Sequence, residues 1–182
     1  NQLKDDDSYN MFFVHLIGSH SVFEKRYPKT FDFFKPENYP TLPQHQRQKV
    51  ASYDNSILYN DYVVNNIISL FKEKETIILY FSDHGLDIYE SSDDYIGHAK
   101  LTSLESMEFS KKIPFFIYTS PSYQKNFPEV TNAIKKSTNK QFCTDDIILT
   151  IMDIIGVKIN NIDILGESLL KGVSHCSNKA LP

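Results

Sequence analysis

The stretch Thr76-Ile77-Ile78-Leu79-Tyr80-Phe81-Ser82-Asp83-His84-Gly85 decides the fold class. Ile77 to Phe81 is an unbroken apolar, β-prone run that stops abruptly at four small or polar residues. A continuous run of that length, rather than an alternating one, fits a strand buried on both faces. Open α/β sheets build their sites beyond the carboxyl ends of such strands. Ser82-Asp83-His84-Gly85 therefore stands where a site would be.

Upstream, no Pro or Gly occurs from Gln46 to Lys74, and Val50, Tyr53, Ile57, Val64, Ile68 and Phe71 recur at three-, four- and seven-residue steps. That spacing predicts a long amphipathic helix. Before it, Pro28, Pro36, Pro40 and Pro43 forbid long regular structure between Ser21 and Gln44. Earlier still, Met11-Phe12-Phe13-Val14-His15-Leu16-Ile17 reads as another buried strand, ending at Gly18-Ser19. Downstream of Gly85, a polar loop runs to about Lys112, and Ile113 to Tyr118 is a third strand, with Pro114 at its edge or first turn. A short helix over 130–136 is followed by a clear one from Thr144 to Ile155, with Thr144 as N-cap and Gly156 at the C′ position. Strands alternating with helices predict an α/β layer structure with a largely parallel sheet.

The 182 residues carry 19 Lys and Arg against 23 Asp and Glu, a formal net charge of −4. A mildly acidic chain without clustered positive charge is a poor nucleic-acid binder. With 41% hydrophobic and 13% aromatic residues there is material for a core, which excludes whole-chain disorder. No run of roughly 18 apolar residues predicts a membrane span. Asn1 to Asp7 has no apolar segment of a signal peptide, and the start reads as a cut from something longer. Two cysteines, Cys143 and Cys176, are too few for a zinc ribbon; a disulfide and a pair of inert thiols are both consistent with their spacing.

The chemistry-bearing residues gather at strand ends. Adjacent Asp83 and His84 on one turn can aim a carboxylate oxygen and an imidazole nitrogen at one metal, a mixed donor pair that suits zinc. Gly85 allows a sharp turn and removes side-chain bulk beside the ion. His98 follows Gly97 across the acidic loop, and His20 follows Gly18-Ser19 at the end of the first apolar run. If the two strands are parallel neighbours, His20, Asp83 and His84 share a rim to which the loop returns His98. His15 reads as a core histidine. The acids Asp87, Glu90, Asp93 and Asp94 are either extra metal ligands or, the favoured reading, a solvated loop face; of Tyr53-Asp54-Asn55 either one points toward the site or, the favoured reading, all are structural polar residues in the helix. Walker, dinucleotide, Gly-x-Ser-x-Gly and His-Glu-x-x-His motifs are absent, and no side chain is an obvious activated nucleophile.

In order along the chain, Val14-His15-Leu16-Ile17-Gly18-Ser19-His20, Lys25-Arg26-Tyr27-Pro28, Tyr53 to Asp61, Ser82-Asp83-His84-Gly85, Gly97-His98 and Ile113-Pro114-Phe115-Phe116 resemble successive blocks of the bacterial phosphoethanolamine transferases. The resemblance runs from about Met11 to Val157; Ser-Asp-His-Gly alone is shared across the alkaline phosphatase/sulfatase superfamily. It implies an alkaline-phosphatase-like layered sheet with helices on both faces, incomplete here, so that residues 1–182 are the C-terminal portion of one sulfatase-like catalytic domain with flexible ends at 1–10 and 174–182. It implies zinc, one ion or two, with Asp83 and His84 as ligands, and His20 and His98 as catalytic histidines that contact the phosphoryl group or a second metal. It implies a phosphatidylethanolamine donor, a lipopolysaccharide acceptor (lipid A or core sugar) and a threonine-linked intermediate. The threonine and its companion acidic ligand would lie upstream, leaving this piece alone inactive or nearly so. It also implies N-terminal membrane helices outside this chain, placing the domain at the inner membrane, facing the periplasm.

Ser21-Val22 stands where the family usually has Gly-Pro, and Leu86 where a Glu is common. The loop from Asp87 to Tyr95 looks closer to members that modify the lipopolysaccharide core. Two other readings stay open: a sulfatase or phosphodiesterase releasing its product to water, and a non-catalytic module that binds a glycan, a lipid head group or a partner.

Overall fold

The computed structural model describes residues 9–92, 94–98, 104–157 and 168–171. The expected flexible ends therefore lie outside the described residues, apart from Tyr9 and Asn10. The chain forms two compact units, Asn1–Val64 and Asn65–Pro182.

The first unit is built along helix α1, Gln44–Phe71, which ends a few residues before the expected Lys74. Its buried positions include Ala51, Ser52, Asn55, Ser56 and Val64. Of the apolar series that predicts the helix, only Val64 is buried, and Ile57 is 44% exposed. The face turned inward is thus made of small and polar residues, spaced by three and four. Small side chains let the proline-rich segment lie close against the helix. That segment forms three short 3-10 turns, Phe23–Lys25, Lys29–Phe31 and Pro36–Asn38. Asn55, fully buried, holds it: Oδ1 accepts from the backbone N–H of Phe33 (2.9 Å) and Phe34 (2.8 Å), and Nδ2 donates to the Phe34 carbonyl (2.9 Å) and Asp32 (3.2 Å). The Tyr39 hydroxyl donates to Asp54. Burial, that bond and the Asp54 charge all push the Tyr39 phenol well above its ordinary value. Phe23 meets Tyr53 edge-on, ring centroids 5.3 Å apart, and Phe31 meets Tyr59 at 4.9 Å. The structural reading of Tyr53-Asp54-Asn55 is what the geometry shows.

The apolar run at 11–17 is not a strand. Met11, Phe12, Phe13, Val14 and Ile17 are all more than half exposed, and His15 is exposed rather than a core histidine. A strand needs a neighbour to complete its ladder. Among the described residues of this unit no strand is available to pair with the run. Apolar composition alone does not bury it.

In the second unit, strand β1, Ile77–Phe81, pairs with a strand over Phe115–Thr119 in the register Ile77↔Thr119 to Phe81↔Phe115. The pairing is antiparallel, against the largely parallel sheet that the element order predicts. The reason is local. The Ser82 N–H donates to the Pro114 carbonyl (3.4 Å), so the chain leaves one strand and enters the next at the same end. A parallel pair would need a crossover back to the other end. The expected polar loop contains instead a hairpin, β2 (Asp87–Ile88) with β3 (Ile96–Gly97), and helix α2, Leu104–Lys111. The returning strand over Phe115–Thr119 is therefore β4, and Tyr80 stacks on Phe116 across the β1–β4 pair at 5.0 Å.

Beyond β4, Ser120 is fully buried and ends the ladder: its N–H donates to the Thr76 carbonyl (2.9 Å), while Oγ accepts from the N–H of Thr76 (3.0 Å) and of Tyr123 (3.2 Å). It thereby caps α3, Pro121–Asn126, and α4 follows over Pro128–Lys136. A 3-10 turn at Thr144–Asp146 leads into α5, Ile147–Ile154, so Thr144 opens the turn rather than capping the helix. Gly156 has φ +72°, the left-handed conformation expected after the helix end. Cys143 is disulfide-bonded, and the other cysteine, Cys176, lies outside the described residues.

Replacing Asn55 by Ala takes the partner from two backbone N–H groups and a carbonyl of the exposed Phe33–Phe34 segment. Each such bond is worth about 1 kcal/mol net where water can reach, so Asn55→Ala lowers unfolding stability by roughly 3 kcal/mol overall. Urea denaturation of the variant beside the parent checks this.

Candidate active site

The turn Ser82–Gly85 is fixed from two sides. Ser82 Oγ donates to the His84 carbonyl (2.8 Å), and the His84 N–H donates to Asp83 Oδ1 (3.0 Å). The Gly85 N–H donates to the Ser110 carbonyl (2.8 Å) at the end of α2. A Cβ on Gly85 would fall 2.1 Å from the Phe109 oxygen and 2.6 Å from the Lys112 oxygen. The glycine is required by backbone packing against the helix end. Its φ is not positive, so the sharp-turn explanation for Gly85 is replaced by one of close approach.

On this frame, His84 Nδ1 lies 2.8 Å from the Gly85 carbonyl. Only a donor satisfies that oxygen, so in the neutral ring Nδ1 carries the proton and Nε2 keeps its lone pair. Nε2 lies 3.8 Å from Asp83 Oδ2. Two metal–ligand bonds of about 2.0–2.2 Å each span such a gap. A His whose second ring nitrogen donates to a backbone carbonyl is the usual posture of a metal ligand. The carboxylate and imidazole donors of Asp83 and His84 are thus of the type that suits zinc. No group of three or more His, Cys, Asp or Glu side chains arranged for a metal occurs among the described residues.

Asp83 stays ready to bind as an anion. Burial, the largest single effect, pushes its carboxyl up, but the His84 N–H, the His84 charge and the Ser82 hydroxyl together outweigh it, and the net direction is down. Its side chain is 82% exposed, so this says little about stability.

His98 reaches His84. Their rings stack with centroids 3.8 Å apart and an interplanar angle of 24°. Its carbonyl accepts from Ser110 Oγ (3.2 Å), so the end of α2 touches both histidine-bearing segments. The structure therefore brings Asp83, His84 and His98 together. His20 belongs to the first unit, just after the Gly18 turn (φ +56°). It is exposed, with Ser21 Oγ 3.1 Å from its Nδ1. Arg26 holds this loop: Nε donates to the His20 carbonyl (3.2 Å) and Nη2 to the Ser21 carbonyl (2.9 Å).

Asp87 corrects the reading of the loop acids as a solvated face. It is fully buried, and its carboxylate accepts from the N–H of Glu90 (2.9 Å), the N–H of Ser91 (3.3 Å) and the Ser91 hydroxyl. Burial works to raise its carboxyl, but these donors outweigh it and hold it below the usual range. Glu90, exposed, accepts from the Ile88 N–H and is shifted up, first by burial and then by the neighbouring Asp87. The sequence signal for Asp87 was present: an Asp followed by a Ser and free backbone donors three and four residues on favours a local side-chain-to-backbone turn. Asp93 lies outside the described residues.

Residues 1–157 match the sulfatase family. The chain belongs to that family. Among its relatives, phosphoethanolamine transferase EptA of Escherichia coli K12 is 30% identical over 80% of this chain and 27% of its own length. Phosphoethanolamine transferase EptC of Escherichia coli O18:K1:H7 is 28% identical over 88% of this chain and 28% of its own. The chain thus spans about a quarter of the length of the curated relatives it matches. In structure it resembles the soluble domain of lipooligosaccharide phosphoethanolamine transferase A from Neisseria meningitidis, with a TM-score of 0.62 and 21% identity, over 78% of this chain and 43% of that one. That likeness bears out the α/β, alkaline-phosphatase-like class, and the two small sheets fit a partial copy of it. The ordered motif blocks point to the same phosphoethanolamine-transferase branch as the relatives do.

Two expectations follow. Gly85→Ala cannot keep its contact with the Phe109 and Lys112 carbonyls, and overpacking against backbone costs about 1–3 kcal/mol; thermal unfolding reads the loss. Asp87 has a depressed folded-state carboxyl, so the stability it contributes is fully present above the unfolded value, near 4, and disappears as pH falls through the folded value. Asp87→Asn has no carboxylate to take up a proton there. Its unfolding free energy accordingly falls less steeply than the parent's below about pH 4 in an acid titration.

Proposed function

We propose that this chain is the histidine-bearing portion of the catalytic domain of a phosphoethanolamine transferase. The protein moves the head group of phosphatidylethanolamine onto lipopolysaccharide, at lipid A or a core sugar. The observation that carries this reading is the Ser82–Gly85 turn, where Asp83 Oδ2 and His84 Nε2 converge to 3.8 Å with the His98 ring against His84. The order of sequence blocks and the names of the relatives support the same reaction class.

Asp83 and His84 are the zinc ligands of this reading. When bound, zinc lowers the pKa of a hydroxyl nucleophile and offsets charge on the phosphoryl oxygens. The chain's own groups do the rest. Gly85 accepts the His84 Nδ1 proton and so fixes the tautomer that leaves Nε2 for the metal. His98 donates to phosphoryl oxygens as charge develops and protonates the departing oxygen. Arg26 holds the His20 backbone in place through its fork of donors. The threonine that carries the head group, and the remaining acidic zinc ligand, belong to sequence outside this chain. Since Asp83 and His84 supply only two donors, the 182 residues alone bind zinc weakly and transfer little. A disulfide-bonded Cys143 supports an oxidising compartment, in keeping with a domain that faces the periplasm from the inner membrane. None of the described helices is long and apolar enough to cross a membrane. In this reading N-terminal helices of the intact protein anchor the domain.

The test uses the intact protein in its own membranes, with labelled phosphatidylethanolamine. Label appears on lipopolysaccharide with the parent. Asp83→Ala and His84→Ala lower transfer by at least about a thousandfold, as removal of a metal's ligand does, and lower bound zinc measured by elemental analysis. Label released to water instead of to the acceptor would replace the transferase reading with a hydrolase. Unchanged transfer in both variants would remove the metal site.

A further inference from the structure

We propose that Asp87 is the positioning residue of His98: its buried carboxylate sets the path of the loop that delivers His98 onto the ring of His84. The hairpin that carries His98 has strands of only two residues, Asp87–Ile88 and Ile96–Gly97. Ladders that short hold little register by themselves. Asp87 sits at the root of the hairpin, paired with Gly97, and His98 is the next residue. The carboxylate takes the N–H of Glu90 (2.9 Å), the N–H of Ser91 (3.3 Å) and the Ser91 hydroxyl. Between these anchors Tyr89 adopts φ +67°, a conformation a bulky residue avoids unless its surroundings enforce it. The Tyr89 N–H then donates to the Tyr95 carbonyl (3.1 Å) and closes the loop toward β3. A fully buried carboxylate has to be paired by donors, and here residues 90 and 91 supply three of them. Its effect is thus local to the segment that returns His98.

The geometric part of this inference stands apart from the transferase reading, and only its kinetic arm rests on that reading. The imidazole spectra of histidine-labelled intact protein report the stack, because each ring shifts the protons of the other. In Asp87→Ala the ring-current shift of His84 disappears, as it does in the reference variant His98→Ala, while the methyl signals of Ile77, Leu79 and Ile117 stay in place. Head-group transfer falls about ten- to a hundredfold in kcat with KM unchanged, the scale of a misplacement of about 1 Å. Asp87→Asn restores both, because its amide oxygen can take the same two N–H groups and its NH2 can donate to Ser91 Oγ. Asp87→Ala with the His84 shift intact would overturn the proposal. Should Asp87→Ala not fold, Ser91→Ala decides: a partial loss of the shift upholds it, and a spectrum identical to the parent's assigns Asp87 to general stability and overturns it. A lost stack with no transfer even in the parent would sink the proposed reaction and leave the positioning role standing.

Discussion

The second unit depends on one close approach, that of the Gly85 backbone to the C-terminal end of α2. With no side chain between them, Gly85 donates to the Ser110 carbonyl at 2.8 Å and faces the Phe109 and Lys112 oxygens. This contact carries the site in three ways. It fixes the chain direction just after Asp83 and His84. It aims the Gly85 carbonyl at His84 Nδ1, which leaves Nε2 as the free nitrogen. It also brings Ser110 within reach of the His98 carbonyl at 3.2 Å. A helix end exposes carbonyls that need partners, and here the functional turn supplies one of them.

Some of this was legible in the sequence, and the reasons are physical. Ile77–Phe81 is a strand because a continuous β-prone run with an abrupt polar end has few other solutions. The long helix was legible because nothing from Gln44 to Phe71 can break it. That Asp83, His84 and His98 lie together was legible because Asp83 and His84 share one strand-end turn and the loop after it returns Gly97-His98 beside it. What escaped was whatever depends on a partner. The run at 11–17 has strand composition, but a strand is a relation between two segments, and none pairs with it among the described residues. The direction of β4 escaped because the hairpin and α2 hide in a polar stretch whose periodicity is weak. The buried face of α1 escaped because periodicity weighs large apolar residues, whereas Ala51, Ser52, Asn55 and Ser56 do the packing.

Buried polar side chains substitute for regular structure in both units. A segment with four prolines cannot form a ladder, so Asn55 bonds to its backbone instead. At the end of the β1–β4 pair, Ser120 completes the ladder and starts α3 with one hydroxyl. Thr150 accepts the Leu169 N–H (3.0 Å), and Ser137 donates to the Leu169 carbonyl (2.6 Å), tying residues 168–171 to two helices. Each is a single side chain, and removing it strands several backbone groups at once, so these positions are costly to change although none is a large apolar residue.

The contrast between Asp83 and Asp87 shows how environment, not residue type, assigns a role. Both carboxyls lie below their ordinary range, and in both the donors around them outweigh burial. Asp87 is fully buried and takes three donors from residues 90 and 91, so it holds its own loop. Asp83 is 82% exposed; Oδ1 faces the His84 N–H and Oδ2 faces His84 Nε2 across 3.8 Å. With the neutral His84 tautomer that the Gly85 carbonyl favours, both face each other as acceptors, and a cation between them would satisfy both at once. The proposed metal role of Asp83 thus rests on its exposure and on the backbone contact that fixes the turn, not on its residue type.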